Sequence, residues 1–142
     1  MSWAYASDLQ TRYANGEEHG LNLEFIEGPE LKNLLAAGVE CLNANKDEIN
    51  DLNVFPVPDG DTGTNMVLTF QAALREAQQA SDEVKDILER AAQGSLMGAR
   101  GNSGVIVSQF FRGFARAVGN APRLGPDEIA KGIEGASKLA YQ

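Results

Sequence analysis

The sequence predicts an all-α domain, a bundle of five helices whose antiparallel neighbours are joined by short loops. Apolar residues recur at spacings of three and four in five separate segments, which is the period of one helix face. No segment shows the sustained alternation of apolar and polar residues that a half-buried strand requires. Stretches that contain glycine or proline separate most of these segments, and a polar stretch at residues 78–82 separates the second from the third.

The composition is that of one acidic globular domain. The chain has 142 residues and a formal net charge of −8, which argues against a nucleic-acid-binding surface because such surfaces need Lys and Arg to neutralise phosphates. The single cysteine, Cys41, excludes an intramolecular disulfide, and its apolar neighbours predict a small buried side chain. No run reaches the roughly 18 apolar residues of a membrane span. We therefore expect a cytoplasmic protein.

The first helix is expected to follow a polar beginning. Residues 1–24 are polar and weakly periodic, so we interpret them as an N-terminal extension and assign the domain to residues 25–142. The helical period starts at Pro29, and residues 43–51 are interpreted as a polar exit from this helix. The residues predicted on its inward face are Leu31, Leu34, Leu35, Val39 and Leu42.

Four more helices follow. They are predicted to begin near Thr64, after a cap at Ser81 or Asp82, just after Ser103, and at Pro126, which suits a first helical turn. Their predicted inward residues are Met66, Val67, Phe70, Leu74 and Ala77; Val84, Ile87, Leu88, Ala91 and Ala92; Val107, Phe110, Phe111, Phe114, Ala115 and Val118; and Ile129, Ile133, Ala136 and Ala140.

The stretch NVFPVPDGDTGTNM, residues 53–66, is the first candidate site. Asp59 and Asp61 lie two residues apart across a glycine, so both carboxylates can turn toward one point. Mg²⁺ prefers such oxygen ligands. The loop is not an EF-hand, because Phe70 stands where that loop has its closing glutamate. An ordinary acidic turn that caps a helix explains the same residues, so both interpretations stay open.

Uncharged groups surround these two carboxylates. Thr62, Thr64 and Asn65 add further oxygens, and the backbone N–H groups of Gly63, Thr64 and Asn65 open the next helix. A helix N-terminus attracts phosphate.

The stretch GARGNSG, residues 98–104, is the second candidate site. Its glycines let backbone amides approach a ligand closely, and a helix starts just after Ser103. It is not a Walker A loop, because no Gly-Lys-Ser/Thr follows. Alone, it is best interpreted as a turn between helices. If both helices start at the same end of the bundle, however, the two loops together predict a site for Mg²⁺ and nucleotide phosphates.

These two stretches, NVFPVPDGDTGTNM (53–66) and GARGNSGVIVSQFFRGF (98–114), resemble the nucleotide-binding domain of the dihydroxyacetone kinase L-subunit family. Within it, they are most similar to the N-terminal domain of fatty acid kinase A-type proteins. The resemblance covers residues 25–142. It implies an antiparallel α-helical barrel that binds ATP or ADP through two Mg²⁺ ions held by aspartates.

The resemblance also implies roles for individual residues. Asp59 and Asp61 match the metal ligands and, with Thr62, the catalytic positions. The residues that match nucleotide-binding positions are Gly63, Thr64, Asn65, Gly101, Asn102, Ser103 and Gly104.

Three departures from the family pattern affect these expectations. Dihydroxyacetone kinase subunits carry a further acid five residues before the first loop aspartate, where this chain has Val54, and Asn53 is the stand-in metal ligand. They usually carry His where this chain has Thr62, which favours the fatty acid kinase branch. The family has roughly eight helices and a downstream Gly-Thr motif. We count five helices and expect an incomplete barrel, whose exposed apolar faces favour a homodimer.

The leading hypothesis is a Mg²⁺- and ATP-dependent kinase domain that phosphorylates a fatty acid presented by a partner protein. The first alternative is the nucleotide-binding subunit of a dihydroxyacetone (glycerone) kinase. The second is a non-catalytic module that binds nucleotide or metal.

Overall fold

The computed structural model describes residues 24–142, which form six helices and no strand. The helices are α1 (Gly28–Ala44), α2 (Lys46–Asp51), α3 (Thr62–Gln79), α4 (Val84–Met97), α5 (Gly101–Val118) and α6 (Pro126–Ala140). The predicted all-α bundle is confirmed. The extension predicted for residues 1–24 lies, except for Glu24, outside the described residues.

The described residues contain one helix more than the five predicted. The additional helix is α2, which occupies the stretch interpreted as a polar exit from α1. None of its six residues is buried, so it has no apolar stripe that periodicity could detect. Asn45 separates it from α1, and its side-chain Nδ2 donates to the Cys41 carbonyl at 2.8 Å. The Cys41 side chain itself is exposed, so the prediction that it is buried was wrong.

The core lies between α3, α4 and α5. All five residues predicted on the inward face of α4 are buried, and Ile87 and Ala91 are fully inaccessible. Phe111 of α5 packs edge-to-face on Phe70 of α3, with ring centroids 4.8 Å apart. Each large apolar side chain buried here stabilises the fold by about 1.5–3 kcal/mol. The two helices that carry the candidate loops, α3 and α5, therefore both contribute to the buried core.

Three residues predicted to face inward are exposed instead. Leu34 of α1, Phe110 of α5 and Ile133 of α6 have 50, 41 and 51 % of their surface accessible. Among the described residues α6 packs only against α5, so the far side of α6 has no neighbouring helix. The period of three and four marks an apolar face correctly, but it does not show whether another helix covers all of it.

The beginning of the described chain is tied to distant segments. The backbone groups of Ile26 and Leu124 exchange two hydrogen bonds, at 2.7 and 2.8 Å, across an isolated antiparallel bridge. Lys32 of α1 donates to the Ala80 carbonyl at 2.7 Å, in the connection between α3 and α4. These contacts orient α1 along the bundle, with its C-terminus leading into α2 and the first candidate loop.

Candidate functional site

The first loop, residues 52–61, is folded around the side chain of Asn53. Its Oδ1 accepts the backbone N–H of Asp61 at 3.1 Å, and its Nδ2 donates to the Val57 carbonyl at 3.2 Å. Gly60 has φ = +64°, a conformation that glycine adopts at little cost. The amide of Asn53 thus closes the loop and sets the position of Asp61 at the start of α3.

The two acidic side chains of this loop point into solvent. Asp59 and Asp61 are exposed, and Asp61 occupies the N-cap position of α3 without a side-chain capping bond. An acidic capping turn would use this carboxylate to accept a first-turn amide. Because it does not, the carboxylates remain available to a ligand, and the oxygen-only donor set of the loop suits Mg²⁺. Within residues 24–142, no three Asp, Glu, His or Cys side chains already form a metal cluster.

The first turn of α3 is held against α2. Asn50 of α2 accepts the backbone N–H of Thr64 through Oδ1 and donates to Thr64 Oγ1 through Nδ2, both at 3.0 Å. Gly63 is buried against the Lys46 carbonyl, where an added Cβ would overlap with the carbonyl oxygen. The N–H of Asn65 bonds to the Asp61 carbonyl, so the amides of Thr62 and Gly63 remain without an intrahelical acceptor.

The second loop leads into α5, which begins at Gly101 and not after Ser103 as predicted. Gly101 has φ = +63°. The Gly104 N–H bonds to the Arg100 carbonyl at 3.0 Å. The amides of Gly101, Asn102 and Ser103 therefore form the open first turn of α5 and carry its positive dipole end.

The two loops meet at one end of the bundle. Ser103 Oγ donates to the Thr62 carbonyl at 3.3 Å, which joins the first turn of α5 to the first turn of α3. A Cβ added to Gly101 would lie 2.5 Å from Nδ2 of Asn65. Both helices therefore start at the same end, which was the condition for a joint site. Asp59 is exposed in the first loop, and Asn102 is exposed in the first turn of α5.

Two residues that sequence reasoning did not single out organise this junction. One is Asn50, which lies in a stretch interpreted only as polar. The other is Thr69, whose side chain is fully buried and whose Oγ1 accepts the Arg100 N–H at 3.1 Å. A threonine among the apolar residues of α3 was the available signal for Thr69, whereas nothing in the sequence distinguishes Asn50 from its polar neighbours.

The described residues thus form a helical bundle with an acidic loop and a glycine-rich loop at two adjacent helix starts. Residues 56–142 match the DAK2 domain. The chain therefore belongs to the DAK2 domain family, which confirms the resemblance stated from its two motifs.

Curated relatives support the same family. The chain is 38 % identical to the Bacillus subtilis protein YloV over 123 residues, covering 86 % of this chain and 22 % of YloV. It is also 38 % identical over 118 residues to uncharacterized proteins of Staphylococcus epidermidis and Staphylococcus aureus, covering 82 % of this chain and 21 and 22 % of theirs. The chain thus spans about a fifth of the length of these relatives. In residues 24–142, no helix is both long and apolar enough to cross a membrane.

Proposed function

We propose that this chain is the Mg²⁺- and ATP-binding domain of a cytoplasmic kinase. It transfers the γ-phosphoryl group of ATP to the carboxylate of a fatty acid held by a partner protein, so that an acyl phosphate forms and ADP leaves. Asp59 and Asp61 would hold two Mg²⁺ ions, and Asn53, whose Oδ1 accepts the Asp61 N–H, would offer the same oxygen as a further ligand. Bound Mg²⁺ would neutralise phosphate charge, which is a main requirement of phosphoryl transfer.

The observation that carries this proposal is the hydrogen bond from Ser103 Oγ to the Thr62 carbonyl. It joins the helix start that bears the acidic loop to the helix start that bears the glycine-rich loop. Carboxylates and unpaired amides at one junction suit a ligand that is itself a metal-bound polyphosphate. Neither loop alone would distinguish such a site from an ordinary turn.

The residues at the junction have separate tasks in this proposal. The amides of Gly101, Asn102 and Ser103 bind phosphate oxygens, and Gly104 lets the turn pack closely against α3. On the α3 side, Gly63, Thr64 and Asn65 contact the nucleotide. Thr62 is adjacent to both the acids and Ser103, so we assign it a catalytic position next to the transferred phosphoryl group.

One feature favours a fatty acid over dihydroxyacetone as the acceptor, and a second feature suits an acceptor of either kind that is presented by another protein. Thr62 stands where the dihydroxyacetone kinase subunits usually have histidine. The first loop also exposes apolar side chains directly before the acids, among them Phe55 at 86 % and Val54 at 69 %. An exposed apolar loop beside a phosphoryl donor suits an acceptor that arrives on another protein. The exposed apolar helix faces would further support a homodimer, which sedimentation velocity tests.

Isothermal titration with ATP, with and without Mg²⁺, tests the proposal. We expect ATP binding that depends on Mg²⁺ and that Asp61→Asn abolishes. If no Mg²⁺-dependent binding is found, both kinase hypotheses are wrong.

A second experiment identifies the acceptor. ADP release is measured with a purified fatty-acid-binding protein loaded with fatty acid, and separately with dihydroxyacetone on its binding subunit. Release with the first alone supports the proposal, and release with the second alone supports the alternative kinase. Nucleotide binding without release in either assay would indicate a non-catalytic module.

A further inference from the structure

We propose that Thr69 is a positioning residue that fixes the glycine-rich loop relative to the acidic loop, an inference that rests on the proposed function. The residue lies two turns into α3, outside both sequence motifs. It acts through the backbone of the second loop and does not contact the nucleotide.

The Thr69 hydroxyl has a partner on each side. It donates to the Asn65 carbonyl at 2.8 Å within α3, and it accepts the Arg100 N–H at 3.1 Å from the second loop. Arg100 is the N-cap residue of α5. The hydroxyl therefore connects the first turns of α3 directly to the residue from which α5 begins.

The residues packed around Thr69 leave the second loop no alternative position close to α3. Thr69 has no accessible surface, so water cannot take the place of its hydroxyl. Gly104 packs directly against it, and a Cβ added to that glycine would overlap with Oγ1. A side chain that offered no acceptor would leave the Arg100 N–H unpaired, and the loop could relieve this only by moving outward. Such a movement would carry the amides of Gly101, Asn102 and Ser103 away from α3.

Thr69→Val isolates the hydroxyl, because valine has nearly the same shape and lacks the acceptor. Without nucleotide, we expect faster hydrogen exchange at the Arg100 amide. With nucleotide, we expect Mg²⁺·ATP affinity to fall by about three- to tenfold, the equivalent of one lost hydrogen bond. Thr69→Ser keeps the hydroxyl and should restore both properties. If the valine variant does not fold, Thr69→Cys provides the same comparison, since its thiol is only a weak acceptor.

Ser95→Ala is the matched control. Ser95 is also fully buried, but its Oγ donates to the Ala92 carbonyl within α4 and so does not connect the two loops. We expect this variant to lose stability and to bind Mg²⁺·ATP as the unaltered chain does, at a temperature where all variants are folded.

The outcomes separate the two proposals. Weaker binding by Thr69→Val alone, restored by serine, supports the positioning role. If Thr69→Val binds as tightly as the unaltered chain, or if Ser95→Ala weakens binding equally, the positioning role is wrong and the proposed function stands. If the unaltered chain does not bind Mg²⁺·ATP, the proposed function fails and this inference fails with it.

Discussion

Asn50 and Thr64 form a two-point contact: Oδ1 of Asn50 accepts the Thr64 N–H, and Nδ2 donates to Thr64 Oγ1, both at 3.0 Å. The amide satisfies one of the first-turn donors of α3 that would otherwise lack a partner. Because Oγ1 accepts from Asn50, the hydroxyl proton of Thr64 stays free to donate to a ligand. A short helix with no buried residue thereby orients a residue of the candidate site.

Removal of this contact should weaken the fold. We expect Asn50→Ala to lower the free energy of unfolding by about 1–2 kcal/mol, since it removes a capping interaction in a half-buried position. Urea denaturation measures the change. Asn43→Ala is the control, because Asn43 is exposed on α1. Equal midpoints for the two variants would contradict the capping role of Asn50.

Replacement of Asp61 by asparagine should abolish ligand binding and leave the stability of the fold nearly unchanged. The carboxylate is exposed and makes no capping bond, so we expect Asp61→Asn to change the free energy of unfolding by less than about 0.5 kcal/mol. In contrast, Mg²⁺-dependent ATP binding should be lost, which calorimetry detects. Asp51→Asn, at an exposed position of α2, should leave binding intact. A loss of helical circular dichroism in Asp61→Asn would instead favour a structural turn.

A methyl group added at Gly101 should lower the stability of the fold, whereas the same change at Gly38 should raise it. Gly101→Ala forces alanine to φ = +63° and places its Cβ 2.5 Å from Asn65, so we expect a loss of at least about 1–2 kcal/mol. Gly38 lies inside α1, where a Cβ meets only Phe70 at 3.9 Å, and Gly38→Ala should stabilise by about 0.5–1 kcal/mol. Thermal unfolding of both variants checks the opposite signs.

Asp86 should make stability depend on pH. The backbone N–H of Ser81, with support from Arg90, holds the pKa of Asp86 below its ordinary value of 3.8. A lowered pKa means that the stabilisation is complete above the unfolded value and disappears as the pH falls through the folded value. Asp86→Asn should therefore lower the urea midpoint at pH 7, and the difference should vanish well below pH 3.8. Glu89→Gln, in an exposed pair with Lys85, is expected to have little effect at either pH.

Helices with a buried stripe could be predicted from the sequence, and α4 is the clearest case. All five of its predicted inward residues are buried, because a regular apolar period reflects contact along the whole helix. The apolar period does not predict α2, because this helix makes polar contacts and buries no residue. The same period wrongly predicts that Leu34 and Ile133 are buried, because no other described helix covers these side chains.

The candidate site could be predicted only in part. The acidic residues and the glycines are visible as residue types, and their spacing limits the chemistry they suit. The roles of Asn50 and Thr69 depend on contacts across 14 and 31 positions of the chain, which no local pattern encodes. Their hydrogen bonds exist only because α2 and the start of α5 pack beside α3.

The backbone bridge between Ile26 and Leu124 has a consequence for the order in which the domain assembles. It joins residues that are far apart along the chain, and closing so large a loop costs entropy that two hydrogen bonds alone do not recover. The bridge should therefore form late in folding, after α3, α4 and α5 have brought its two ends together. The junction of the two candidate loops would then form before the bridge fixes residues 24–27, the described residues that precede α1.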